Sequence, residues 1–300
     1  MEWPDLAQPG SSDTVQTVQL WSQIVGKTRL ALSPMLNHWW QVPLYVTPVG
    51  LGTSLIHAGD RAFEVEMDFV GHALRVRDAE GRTRSFQLEP MSVAVFYARY
   101  KDLLASIGVD LHIYGRPVEI PEVIPFAEDE THRSYDAAWM RKFSSALLRI
   151  DAVFKEFRGA YQGKASPVHF FWGGFDLAVT RFSGRPAPTH PGGIPNCPDR
   201  VMVEAYSHEV SSAGFWLGDA RFPEAAFYAY AYPEPKGFAD ASITPAAAHW
   251  DTTMREFFLP YEAVRRAPDP RRELRAFLDS TYAAAAELGG WDRPALERHD

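Results

Sequence analysis

Residues 62–70, AFEVEMDFV, alternate without a break: Phe63, Val65, Met67 and Phe69 against Glu64, Glu66 and Asp68. Side chains face the same way at every second residue only on a strand, so this segment predicts a half-buried antiparallel strand with a solvated acidic face. HALRVR (72–77) and RTRSFQL (82–88) continue the pattern, and DAEGR (78–82) between them reads as a hairpin turn.

Helical spacing brackets these strands. Over residues 14–32, Val15, Val18, Trp21, Val25 and Leu32 fall near one helical face, with Ser12 and Asp13 as N-cap candidates and Pro34 as the stop. Residues 92–108 read as a second helix ended by Gly108, followed by a short strand, DLHIY, and an extended connector over 118–130. The order then recurs. A helix over about 135–158 precedes four strand-like segments, VHFFW, FDLAVTRF, VMVEAYSHEV and AFYAYAYP, and a closing helix near 270–288 stops at Gly289 and Gly290. The expected fold class is therefore α+β, with antiparallel sheets flanked by helices, in a single domain over 1–300.

Shared words suggest two pseudo-repeated halves, 13–125 and 134–290, around one core. Gly26-Lys27, Ser33-Pro34, His38-Trp39-Trp40 and Leu44-Tyr45-Val46-Thr47 match Gly163-Lys164, Ser166-Pro167, His169-Phe170-Phe171 and Leu177-Ala178-Val179-Thr180 in order. A chance match is the competing reading, since Ser-Pro and aromatic pairs are common at turns. The Pro- and Gly-rich stretch 184–200 can continue neither element and reads as a long surface loop, either a lid or disordered.

Composition narrows the function. Acidic residues outnumber basic ones, 38 to 30, for a net charge of −8, which is not the footprint of a nucleic-acid or membrane-surface binder. The single cysteine, Cys197, excludes an internal disulfide and cysteine-based metal clusters. No apolar run reaches 18 residues, and the amino-terminal stretch is acidic and polar, so the chain is expected to be cytoplasmic, with a small molecule as its partner. Familiar motifs fail. Gly26-Lys27-Thr28 lacks the glycine of a phosphate loop at Trp21, Gly50-x-Gly52 lacks its third glycine, and His208-Glu209 is not followed by a second histidine at helical spacing.

The second half concentrates chemistry-bearing residues among glycines and tryptophans. His169, His208, Glu204, Glu209 and Asp176 are the catalytic candidates, as bases or acids. On a strand Glu204, Tyr206 and His208 would share a face, as would Tyr228, Tyr230 and Tyr232. Arg181, Arg185, Trp172, Tyr206, Trp216 and Tyr230 are the substrate-binding candidates, the arginines for an anionic group. His169, His208 and Glu204 could together hold a divalent metal, iron, manganese or zinc. Lys27 and Lys164, two of only six lysines, are secondary candidates. A lone strand histidine or a tyrosine stripe is more often structural; the density of these groups is what points to a pocket.

The phrases VGKTRLALSPMLNHWWQVPLYVT, GKASPVHFFWGGFDLAVTRFSGR, EAYSHEVSSAGFW and AFYAYAYPEP resemble an uncharacterised bacterial family of about 300 residues known only as a domain of unknown function. The resemblance spans residues 3–290. It implies one unit of that length and brings no activity with it. The expected function is a small-molecule enzyme with its site on the second-half strands, dependent on a metal in one version. The alternatives are a non-catalytic binder of a small ligand and a protein-interaction module.

Overall fold

The computed structural model describes residues 2–7, 11–219 and 222–298. Its first half runs α1 (Ser11–Leu32), β1 (Tyr45–Thr47), β2 (Gly50–Gly52), β3 (Ile56–Ala58), β4 (Arg61–Asp68), β5 (Ala73–Asp78), β6 (Thr83–Gln87) and α2 (Val93–Ala105). The second half runs α3 (Ala137–Gly159), β7 (His169–Phe171), β8 (Asp176–Pro186), α4 (Asp199–Ala205), β9 (His208–Trp216) and β10 (Ala226–Tyr232). It closes with β11 (His249–Asp251), β12 (Glu256–Pro260), α5 (Tyr261–Arg266), α6 (Pro270–Leu288) and α7 (Arg293–Leu296). The fold is α+β with two antiparallel sheets, as the alternation predicts.

The first sheet has the order β1-β2-β4-β5-β6, with β3 also on β4; the second has β11-β12-β10-β9-β8-β7. They meet edge to edge at one antiparallel bridge, where the amides of Leu44 and Phe170 each donate to the other's carbonyl at 2.9 and 2.7 Å. One buried apolar cluster runs through both halves. No helix among the described residues is long and apolar enough to cross a membrane.

Strand β4 buries Phe63, Val65 and Met67 and turns Glu64 outward to pair with Arg77, directly opposite on β5. Asp68 departs from the expected solvated row. It is buried, accepts from the amides of Val70 and Gly71 at 2.8 and 2.6 Å, and pairs with Arg75, so it closes the turn into β5. The hairpin at 78–82 forms because Asp78 accepts from the amides of Glu80 and Arg82. Ser92 caps α2 by accepting from the Val95 amide, and Gly108 stops the chain at φ +80°. For α1, which opens at Ser11, the cap position lies outside the described residues.

Three expectations are corrected. Residues 110–114 form no strand. The segment 201–210 is not one strand: α4 ends at Ala205 and β9 begins at His208. Its short apolar run fits either period, and Pro198, with φ −62°, just before Asp199 sets up a helix start. The loop is shorter than 184–200, because β8 extends to Pro186 beyond an irregularity after Phe182, leaving residues 187–198 between β8 and α4. Some of the repeated words also lie on unlike elements. Gly26-Lys27 is inside α1 whereas Gly163-Lys164 follows α3, and His38 sits in a 3-10 turn whereas His169 is on β7; only the Leu-x-Val-Thr words both fall on strands, β1 and β8, so the repeat is not confirmed.

One face of the second sheet packs on helices, with Phe143 of α3 against Phe170 and Phe154 against Phe227. The other face carries the tyrosines and is the floor of a cavity.

Candidate functional site

Register builds that floor. Asp176 on β8 stands opposite Trp216, Ala178 opposite Gly214 and Thr180 opposite Ser212 on β9, while Tyr228 and Tyr230 on β10 face Gly214 and Ser212 from the other side. Gly214 has no side chain, so the Tyr228 ring lies across β9; a Cβ there would stand 2.2 Å from its hydroxyl oxygen. The ring thus reaches β8, where the Tyr228 hydroxyl donates to Asp176 Oδ2. Further along, Tyr206 and Tyr230 share a hydrogen bond at 2.5 Å, and Thr180 and Ser212 one at 2.8 Å.

The cover comes from four separate segments: α1, the turn at 38–42, the connector at 114–119, and the loop leading into α4. Together they enclose about 630 Å³. The connector is held from both sides. Gln23 of α1 makes paired bonds with Val118, donating to its carbonyl and accepting from its amide, both at 2.9 Å. Across from it the Glu119 amide donates to the Pro195 carbonyl at 2.9 Å, and Asn196 donates to the Ile120 carbonyl at 2.7 Å. Between these anchors Glu119 adopts φ +61°, a left-handed conformation that costs a non-glycine residue roughly 1 kcal/mol. The constraint aims its carboxyl at Gly173 and Gly174. A Cβ on Gly174 would stand 2.8 Å from Asp176 Oδ1 and 3.8 Å from Glu119 Oε2, so the two carboxyls straddle this glycine pair.

The electrostatics follow from that juxtaposition. Glu119 is exposed, with its surface opening onto the cavity, while protein atoms crowd its carboxyl from α1, Gly173-Gly174 and the loop before α4. Burial first, and the neighbouring Asp176 charge second, push its carboxyl up to about 7, with Lys27 opposing. Burial pushes Asp176 up to about 6, held back by the Tyr228 hydrogen bond. Lys27, on the last turns of α1 and 2 % exposed, is driven down to about 8 by burial, with Cys197 and Glu119 opposing. Its ammonium stands 5.0 Å from the Tyr114 ring centre and 5.8 Å from those of Phe126 and Trp172. Near the floor, Glu256 on β12 rises to about 8 through burial and the charges of Asp176 and Asp251. Of these, Glu119, Asp176 and Lys27 line one cavity, and all three titrate close to neutrality, as general acid–base chemistry needs.

Of the residues expected from the sequence, Asp176, His169, Trp172, Tyr206 and Tyr230 line the cavity. Trp172 packs on the bare face of Gly26 and donates to the Val42 carbonyl at 2.9 Å. His169 is 1 % exposed, and its Nδ1 has no protein partner. Burial, then the charges of Arg29 and Arg158, push the ring down to about 3, so it presents a neutral imidazole and not a base.

Others fall elsewhere. Odd-numbered β8 residues face the helices. Arg181 is therefore stacked on Phe157, Tyr282 and Tyr161, with its guanidinium carbon 3.5, 4.3 and 4.9 Å from their centres, and it donates to the Phe157 carbonyl. Arg185 joins Glu209 to the carbonyls of Gly289 and Gly290 behind α6, and Glu209 also accepts from Ser183 at 2.8 Å. Both arginines and Glu209 are structural ties. Trp216 faces the cavity side but stacks on Phe222, beyond the lining.

The metal set does not assemble. His169 is level with Ala178 and Gly214, six positions along β9 from His208, on the order of 15–20 Å away. Glu204 is on α4, not on the His208 face, and accepts from the His38 amide at 3.2 Å. Among the described residues no three His, Cys, Asp or Glu side chains are grouped to hold a metal ion. His208 instead neighbours His38, whose ring accepts at Nε2 from Lys164 at 2.7 Å and donates from Nδ1 to the Ala205 carbonyl at 3.0 Å.

Sequence reasoning missed Glu119, which sits in an irregular connector with no period to read. It ranked Lys27 only as a secondary candidate and Tyr228 as one of a stripe. The available signal was Gly173-Gly174 two residues before Asp176, a place made for close approach by another group.

Residues 3–298 match the model of a family described as "Family of unknown function (DUF5996)". The chain belongs to that family. No curated protein and no solved structure matches it. The family description assigns no activity, so any functional reading of this member rests on the cavity.

Proposed function

We propose that this family member is a cytoplasmic small-molecule enzyme working by general acid–base catalysis, with Glu119 and Asp176 as its proton-transferring pair. The observation that carries the reading is the pair itself. Two carboxyls with raised pKa values straddle Gly173-Gly174 on the wall of a cavity of about 630 Å³. With Glu119 near 7 and Asp176 near 6, Asp176 is mostly ionised at neutral pH while Glu119 still holds a proton in a large share of molecules, so one serves as acid while the other serves as base. Tyr228 keeps Asp176 the more acidic of the two, which assigns Asp176 as the base and Glu119 as the acid. Aromatic side chains of the 38–42 turn, Trp172 and the β10 tyrosines provide the apolar surface for a substrate.

Incubating the purified protein with a fractionated metabolite extract and comparing it with Glu119→Gln by untargeted mass spectrometry tests this. A metabolite consumed by the wild type and untouched by the variant is the expected result. Ligands that bind both proteins and are never converted would overturn it in favour of a binding protein, a reading that the aromatic walls also suit.

A further inference from the structure

Helix α1 is buried on nearly every side over Thr14–Arg29, although much of that stretch is polar. Unpaired polar groups in such a position cost several kcal/mol, roughly, so each needs a partner. Thr14 and Thr17 are tied to residues 134–136, Gln23 to Val118, Thr28 to Tyr100, and Arg29 to the carbonyls of Gln41 and Thr53. Ser22 bonds back to Gln19. Two groups are exceptions: the Trp21 indole nitrogen, which is neutral and fully enclosed, and Lys27. Among the described residues the Lys27 ammonium forms no hydrogen bond and no ion pair; around it are three aromatic rings, the Cys197 and Glu119 side chains and the cavity. A buried amine on a rigid helix, apolar rings around it and an acid nearby are what a nucleophilic lysine requires.

We propose that Lys27 forms an imine with a small aldehyde or ketone held in the cavity. The inference rests on the acid–base reading above, because expelling water from the addition product needs a proton donor there. The neutral Nζ attacks the carbonyl carbon, the carbonyl π pair moves to oxygen, and that oxygen takes a proton from the Glu119 carboxyl. The nitrogen gives up a proton to the Asp176 carboxylate. The hydroxyl group then takes the proton now held by Asp176 and leaves as water as the carbon–nitrogen double bond forms, and the iminium nitrogen gives its remaining proton to the Glu119 carboxylate, so both carboxyls end as they began. Amine and carbonyl compound become imine and water, with no oxidant or reductant. The ionisation of Lys27 near pH 8 leaves a useful share of free amine at neutrality, which an exposed lysine near 10.4 lacks. The carbonyl compound would be flat or aromatic enough to lie among Trp172, Tyr114 and Tyr228.

The test uses the full-length protein and 2,4-pentanedione, a 1,3-diketone that condenses with a reactive amine, loses water and settles as a stable conjugated enaminone. Peptide mapping after limited labelling at pH 7.5 is expected to place the adduct on Lys27 at least roughly tenfold faster than on exposed Lys101 or Lys155, from the difference in free-amine fraction. Labelling at Lys164 but not Lys27, or at all lysines alike, would overturn the proposal. Lys27→Met should lose the fast phase while Lys164→Met retains it, and mapping of the wild type decides the matter even if Lys27→Met is poorly folded. Fast labelling at Lys27 together with full turnover by Glu119→Gln would leave the imine standing and remove the acid–base pair. The opposite combination would do the reverse.

Discussion

Asp176→Asn is expected to stabilise the protein, and to do so only where the wild-type carboxyl is ionised. Burial lifts Asp176 from an ordinary 3.8 to about 6 in the folded chain. A gap of about two units, at roughly 1.4 kcal/mol per unit, means that ionising it costs the folded state about 3 kcal/mol relative to the unfolded chain. Asp176 is partly open to cavity water, which reduces the figure to about 1.5–3 kcal/mol. The sign follows from proton counting. Between pH 4 and 6 the folded state holds more protons than the unfolded one, so stability falls as pH rises through that window and the penalty is complete above pH 7. Below pH 4 both states are protonated and the penalty vanishes. Asparagine keeps the shape and an oxygen for the Tyr228 hydroxyl but cannot ionise. The variant should therefore match the wild type near pH 4 and exceed it by about 3–6 °C in Tm at pH 8 for a chain of this size. Urea unfolding at pH 4.5, 6, 7 and 8 gives the same comparison as a free energy. Equal stability at pH 8, or a gain that does not change with pH, would refute the reasoning, since repacking alone has no pH dependence.

The other expectations concern how the site is held. Gly214→Ala puts a methyl group 2.2 Å from the Tyr228 hydroxyl, so it should displace the ring from Asp176 and cost about 1–3 kcal/mol in urea unfolding; an unperturbed midpoint would contradict the described packing. Gln23→Ala removes both bonds to Val118. It should destabilise by about 2 kcal/mol and speed amide exchange over 118–120, measured by hydrogen–deuterium mass spectrometry. His169 should remain neutral from pH 5 to 8 in imidazole nitrogen NMR spectra, because burial and two arginines hold its titration near 3; a midpoint near 6.5 would show the ring to be solvated.

The parts of this molecule legible in its sequence are those where one face of a regular element decides the residue type. The strict alternation over 62–70 fixed β4, and the tyrosines of β10 fall on one face because Phe227, Ala229 and Ala231 between them pack on helices. Tyr230 was found that way; Asp176, Trp172 and His169 were singled out by the density of polar groups among glycines and tryptophans, and Tyr206 on a strand that does not form, yet all line the cavity. The same logic failed where a short apolar run fits two periods, as at 201–205, and it could not say which arginine heads are free: Arg181 is stacked inside the core because its parity on β8 points it at α3 and α6. The remaining half of the site depends on contacts between segments far apart in the chain. Glu119 owes its aim to Gln23, roughly a hundred residues before it, and to Pro195, some eighty after it, each anchoring one side of a residue whose own backbone would prefer another conformation. Lys27 sits on a helix too polar to look buried, and its burial follows only once the connector, Trp172 and the loop before α4 close around it. Periodicity therefore reveals the floor of this cavity, where the sheet sets the spacing. It leaves unseen the groups contributed by the cover, which include the acid and the amine on which the proposed chemistry depends.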